Sequence, residues 1–139
     1  MEAKAKAGKI IYTARTHTTG GRKSRSSDGH LDVKLANPGS ACVGTNPEQL
    51  FAAGWSACFD RAIALAARQS KVALSEVTID AEVVLHLADA TDYFLSARLI
   101  ISIPGVDQTV AQNLVRQAED LCPYSKAMRG NIDVTFNVL

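Results

Sequence analysis

The stretch Asn46-Pro47-Glu48-Gln49-Leu50-Phe51-Ala52-Ala53-Gly54-Trp55-Ser56-Ala57-Cys58-Phe59 decides how this chain reads. Asn46 suits a helix N-cap, Pro47 suits the first helical position, and Gln49 stands three residues after Asn46, the spacing of a capping box. The helical pattern continues to about Gln69. Phe51, Gly54 or Trp55, Cys58, Ala62 and Leu65 recur at helical spacing and predict one buried stripe. Asp60 and Arg61 interrupt the apolar run from Leu50 to Ala67. The segment therefore reads as an amphipathic core helix rather than a membrane span.

On the N-terminal side of this helix the chain reads as a β-meander. Residues Ile10 to Thr18 are rich in β-branched types and predict a strand. Gly20-Gly21 is a turn, Arg22 to Arg25 begins a return strand, and Ser27-Asp28-Gly29 is a second turn. Leu31 to Leu35 alternates as a third strand, and residues 36–45 form a loop with Pro38, Gly39 and Gly44.

On the C-terminal side, Val77 to Leu87 alternates, with Val77, Ile79, Ala81, Val83, Leu85 and Leu87 on one face. Ala88 to Asp92 reads as a hairpin loop and Tyr93 to Ile103 as its second strand, ended by Pro104-Gly105. Asp107 caps a second helix with the stripe Val110, Leu114, Ala118 and Leu121. Pro123 opens a short helix ending near Gly130, and Ile132, Val134, Phe136 and Val138 make a last strand. Three strands, a helix, two strands, two helices and a strand predict an α+β fold with antiparallel sheet, as a single domain over residues 1–139.

Composition narrows the function classes. A 139-residue chain with 47% hydrophobic and 21% charged residues is long enough for a real core. A formal net charge of +1 gives no footprint for nucleic acid or acidic membranes. Three cysteines are too few for a secreted disulfide scaffold, and Met1 to Lys6 lacks the apolar segment of a signal peptide, so the cytoplasm is the expected location.

Chemistry rests on Cys58 and Cys122, two thiols on different predicted elements. A cysteine reduces a peroxide only as thiolate, which at neutral pH needs a depressed pKa or a nearby cation. The resulting sulfenic acid can condense with a second thiol. Cys58 is the better nucleophile candidate, held on a rigid helix among small neighbours (Ala53, Gly54, Ser56, Ala57). Cys122 precedes Pro123 and would cap the short helix near its positive end. Each cysteine taken alone reads equally well as a small core hydrophobe.

Cys42 has no obvious partner. No Cys-x-x-Cys spacing is present, and His17, His30 and His86 are isolated from one another, so no metal is expected. Arg22 follows the Gly20-Gly21 turn and could carry a guanidinium to a thiolate. On its own it also reads as a solvated turn residue. Glu48 in the first helical turn suits the helix dipole. It precedes Cys58 by ten residues, so along one straight helix the two lie roughly 15 Å and about 80° apart. Glu48 would have to act through a long arginine or across a dimer interface, unless the helix starts later.

Four blocks occur in order: Thr18-Thr19-Gly20-Gly21-Arg22, Asn46 to Phe59, Cys122-Pro123-Tyr124-Ser125, and Arg129-Gly130-Asn131-Ile132-Asp133-Val134. Together they resemble the Ohr branch of the Ohr/OsmC family, the organic hydroperoxide resistance proteins, over essentially the whole chain. The resemblance implies an OsmC-like fold, with antiparallel sheets around a long central helix, in an intertwined homodimer. It implies a thiol peroxidase that reduces organic hydroperoxides, including fatty-acid hydroperoxides, to alcohols and protects against oxidative stress. Cys58 matches the peroxidatic cysteine, Cys122 the resolving cysteine, and Arg22 and Glu48 the pair that polarises thiolate and peroxide. Phe51, Trp55, Phe94 and Tyr124 are candidates for an apolar substrate pocket. The implied reductant is a lipoylated protein or dihydrolipoamide, and no cofactor, nucleic acid or membrane partner is implied.

Trp55 stands where tyrosine is common in the family. Asp60 and Arg61 bring charge just after Cys58, Cys42 is an extra thiol, and the Asp89 to Asp92 loop is polar. These departures bear on pocket shape and substrate preference. Two other readings are an OsmC-type sibling with broader substrate range and a non-enzymatic dimeric binding module with inert core cysteines.

Overall fold

The computed structural model describes residues 7–139, so the expectation about Met1 to Lys6 lies outside the described residues. The chain divides into two compact units, one up to Asn46 and one spanning Pro47–Leu139.

The first unit is a three-stranded antiparallel meander of β1 (Thr16–Thr19), β2 (Lys23–Ser26) and β3 (Asp32–Lys34). Gly20 and Gly21 both adopt positive φ in the β1–β2 turn, which side chains with a Cβ rarely do. The second turn is held by Asp28, which accepts from the Ser26 hydroxyl at 2.6 Å and the His30 N–H at 2.9 Å. A lone bridge pairs Leu35 with Thr45. The first strand is shorter than predicted. Residues 10–15 lie outside any strand, with Ile10, Ile11 and Tyr12 at least 76% exposed. β-branched composition gives strand propensity, but a strand also needs a paired neighbour and a buried face.

The second unit places helices against a sheet. Helix α1 runs Pro47–Gln69, as the Asn46-Pro47 signal predicts. By length and composition it could cross a membrane, but Trp55, Phe59, Ala62, Ile63, Ala66 and Ala67 are buried in the core. Of the expected stripe, Trp55 and Ala62 are buried, Phe51 and Cys58 are half-buried against the core, and only Leu65, 37% exposed, faces away from it. The alanines at 62, 66 and 67 let the helix approach its neighbours, so the buried face is centred on Phe59 rather than on Cys58.

The sheet comprises β4 (Thr78–Ala88), β5 (Asp92–Ser102) and β6 (Asp133–Val138). β4 and β5 form the predicted hairpin, in register Ala81↔Leu99 and Leu85↔Leu95. β6 joins β5 in parallel, Leu99↔Phe136, so this sheet is mixed rather than wholly antiparallel. The helices between β5 and β6 carry the chain back to the start of β5, and this permits parallel pairing. Leu99 and Ile101 of β5 are fully buried, and Ala81, Val83, Val134 and Phe136 pack on the same core. Phe59 stacks on Phe136 at 5.1 Å. On β4 the predicted inward face fails beyond Val83, because Leu85 and Leu87 are 52% and 54% exposed.

Helix α2 (Gln108–Leu121) is capped by Asp107, whose carboxylate accepts from Thr109 N–H at 3.1 Å. Its buried residues are Ala111, Leu114, Val115 and Ala118, while Val110 and Leu121 are half-buried. Helix α3 (Pro123–Met128) follows after the single residue Cys122.

Candidate functional site

Cys58 lies in the middle of α1 and is half-buried, while Cys122 is fully buried. Although 64 residues apart in sequence, they meet: the Cys122 thiol donates to Cys58 Sγ at 3.4 Å. Cys122 caps the end of α2 and the start of α3 together, with extended backbone angles (φ −71°, ψ 120°). Its backbone N–H closes α2 onto Ala118 O and its carbonyl accepts from Lys126 N–H. The thiol makes no cap bond to α3, so the sulfur is left free to face Cys58.

The electrostatics of Cys58 pull in two directions. Burial raises its pKa first, and the neighbouring Cys122 thiol adds to the rise. A backbone N–H of Tyr124, in the first turn of α3, and the positive charge of Arg61 act the other way. The net shift is upward. These influences together hold the Cys58 thiol above its ordinary range.

Aromatic side chains gather beside the sulfurs. Phe51 and Trp55 lie seven and three residues before Cys58, which puts them on the same side of α1. Their rings stack at 5.2 Å, and Phe51 meets Tyr124 at 6.2 Å. A Cβ on Gly54 would come within 3.2 Å of the Tyr124 hydroxyl, so glycine permits the close approach of α3. Trp55 donates from Nε1 to Ser125 Oγ at 3.0 Å, both residues being buried.

A cavity of about 170 Å³ lies beside this pair, lined by Trp55, Glu119, Ser125, Arg129 and four residues of the Gly130 to Phe136 segment. Arg129 donates to Glu119 O at 2.7 Å and pairs with Asp120 at 3.1 Å. Burial raises the pKa of Glu119, partly offset by Arg129.

The predicted site residues thus divide. Cys58, Cys122, Phe51, Trp55 and Tyr124 come together. Phe94 stacks on its cross-strand partner His86 at 4.8 Å near the turn of the β4–β5 hairpin, and lines a separate cavity with Gly130 to Asp133, two of whose residues also line the cavity beside Trp55. Glu48 is in the first turn of α1 and half-buried. With α1 starting at Pro47, the offset of roughly 15 Å along the helix from Cys58 stands, and a later helix start is ruled out. Arg22 belongs to the first unit, in the β1–β2 turn, where its N–H donates to Thr19 O at 3.1 Å. Cys42 is exposed in the loop before α1.

Sequence reasoning missed Ser125 and the Tyr124 N–H. The available signal was spacing: Ser125 follows Cys122 by three residues, as Trp55 precedes Cys58 by three.

Residues 37–137 match the family model described as OsmC-like protein. The chain belongs to the Ohr/OsmC family. It is 46% identical to the organic hydroperoxide resistance protein of Xanthomonas axonopodis pv. citri, covering 94% of this chain and 96% of that one. It is 42% identical to the organic hydroperoxide resistance protein OhrA of Bacillus subtilis, over 92% and 96% of the two chains. Among solved structures, OhrB of Bacillus subtilis superposes with a TM-score of 0.87 at 36% identity, covering 94% of this chain and all of that one. The α+β Ohr/OsmC fold inferred from the sequence is thus shared with solved members of the family.

Proposed function

We propose that this chain is a cysteine-based peroxidase that reduces organic hydroperoxides to alcohols, working as one domain in the cytoplasm. The observation that carries this reading is the 3.4 Å approach of Cys58 and Cys122, one sulfur half-open and the other sealed in the core. The names of the relatives support the substrate class.

Cys58 thiolate attacks the distal peroxide oxygen. The O–O bond breaks, the alkoxide takes a proton and leaves as alcohol, and Cys58 becomes a sulfenic acid. Cys122 sulfur then attacks Cys58 sulfur. The S–S bond forms as the S–O bond breaks, and hydroxide leaves as water with the Cys122 proton. A dithiol of the lipoyl type reduces the disulfide by exchange and is itself oxidised to a disulfide.

Because burial and Cys122 push Cys58 upward, the cation matters. Arg22 supplies it in this reading and Glu48 fixes Arg22. Phe51, Trp55 and Tyr124 provide apolar wall for the alkyl group. The chain acts as an intertwined homodimer. The apolar residues left open at the end of the hairpin support this, with Leu85, Leu87, Tyr93 and Phe94 between 48% and 63% exposed.

Stoichiometry tests the reading. Adding an alkyl hydroperoxide to reduced protein should consume Cys58 and Cys122 together, and in Cys58→Ser the Cys122 thiol should survive. Full turnover by Cys58→Ser would sink the assignment. Native thiols that react only on unfolding would favour the inert-core binding module. Equal rates with hydrogen peroxide and a bulky alkyl hydroperoxide would favour the broader OsmC-type sibling.

A further inference from the structure

We infer that the buried Trp55–Ser125 hydrogen bond positions the two sulfurs for the second step of the reaction, a role that rests on the peroxidase reading above. Trp55 and Cys58 are three residues apart on α1, and Cys122 and Ser125 are three apart across the start of α3. The bond from Trp55 Nε1 to Ser125 Oγ, at 3.0 Å, therefore joins the same two segments as the sulfur contact, less than one helical turn away on each. Trp55 is fully buried and Ser125 is 5% exposed. The Tyr124 N–H also reaches Cys58 between the same segments, and the Trp55–Ser125 bond is the one of these links that does not involve a sulfur to be oxidised.

Packing does not fix this junction alone. Trp55 and Ser125 both line the 170 Å³ cavity, so neither is closely packed on every side. Helix α3 has only six residues. Such a short helix takes little rigidity from its own hydrogen bonds.

The second step makes a geometric demand that the first does not. Closing 3.4 Å to a disulfide requires the sulfurs to approach by roughly 1.4 Å, with Cys122 aligned against the S–O bond. The peroxide attack needs only Cys58, on the rigid helix. The Trp55–Ser125 bond thus acts on resolution. Ser125 is a positioning residue, and Trp55 positions through its N–H while its ring belongs to the proposed substrate wall.

The test separates the two steps in single-turnover experiments on the full chain with an alkyl hydroperoxide. Ser125→Ala should form sulfenic acid at a rate within about twofold of wild type but form disulfide about tenfold or more slowly, the scale of a modest misplacement. The long-lived sulfenate should be trapped by dimedone and should advance to sulfinic acid under excess peroxide. Ser125→Thr, which keeps the acceptor hydroxyl, should restore fast resolution. Trp55→Phe, which keeps an aromatic ring but lacks the N–H, should also slow disulfide formation once the sulfenic acid is formed, whatever it does to the first step through the substrate wall, and serves if Ser125→Ala does not fold. Disulfide formation at the wild-type rate in a folded variant lacking the bond overturns the inference while leaving the peroxidase reading intact. Wild-type protein that forms no Cys58–Cys122 disulfide at all overturns the reading beneath it.

Discussion

The two sulfurs sit in regions of opposite construction. Cys58 is carried mid-way along a 23-residue helix whose position is fixed by Phe59, Ile63 and Ala66 in the core, yet the sulfur itself is half-open. Cys122 is fully buried but belongs to no helix, as the single extended residue between α2 and α3. A nucleophile must be reached by an outside molecule and held still. A resolving thiol must be hidden from outside oxidants and able to move toward its partner. The contrast in rigidity and access matches the division of labour proposed for Cys58 and Cys122.

The comparison can be broken or sharpened in several ways. The largest effect should come from Arg22→Ala, which in the proposed mechanism removes the cation acting on the open sulfur alone. Peroxide reduction should fall by about a hundredfold or more in stopped-flow assays, with Tm little changed. An unchanged rate would move the cation's role to Arg61, whose charge already acts on Cys58.

Next is the order of alkylation. With iodoacetamide, mass spectrometry should find exposed Cys42 modified first, Cys58 next, and Cys122 slower than Cys58 by at least about tenfold, because it reacts only through local opening. Equal labelling of Cys58 and Cys122 would dissolve the contrast.

A smaller effect tests the Cys58 side. Gly54→Ala improves helix propensity by about 0.8–1.0 kcal/mol. The new methyl meets the Tyr124 hydroxyl, the outer end of a 40% exposed side chain that can yield. Tm should rise by about 4 °C, and a fall would show that the α1–α3 approach is rigid.

The smallest effect lies near Cys122. Glu119 has its pKa raised by burial, so the folded chain holds that proton more tightly than the unfolded chain. Its contribution favours folding in acid and is lost as pH rises through the folded-state value. Glu119→Gln should therefore be more stable than wild type at neutral pH by at most about 0.5 kcal/mol, with the advantage gone near pH 3. Urea titrations at the two pH values measure it.

Much of this was legible in the sequence because single residues punctuate the chain. Pro47, Asp107 and Pro123 mark the starts of the three helices among the described residues, and each acts through its own backbone or cap. What depended on long-range pairing was not legible. Nothing local distinguishes a parallel from an antiparallel last strand, since Val134 and Phe136 face the core either way. Strand propensity at Ile10 to Tyr12 could not reveal that these residues lie outside the meander. The buried stripe of α1 was misplaced by about one residue, because Phe51 and Cys58 are as apolar as Trp55 and Phe59. The nearness of Cys58 and Cys122 followed from family likeness and not from spacing. Ser125, a small polar residue in a short helix, carried no signal until its partner was seen.

The parallel pairing of β6 also orders events in time. Leu99 finds Phe136 only after residues 103–132 have been threaded through both later helices, and Phe59, the neighbour of Cys58, stacks on that same Phe136. Such non-local closure is slow. During synthesis the middle of α1 emerges long before the strand that seals it, so for an interval Cys58 belongs to an unfinished core and has no resolving partner at hand. A nascent chain is then most vulnerable to the oxidants that the finished one is proposed to remove.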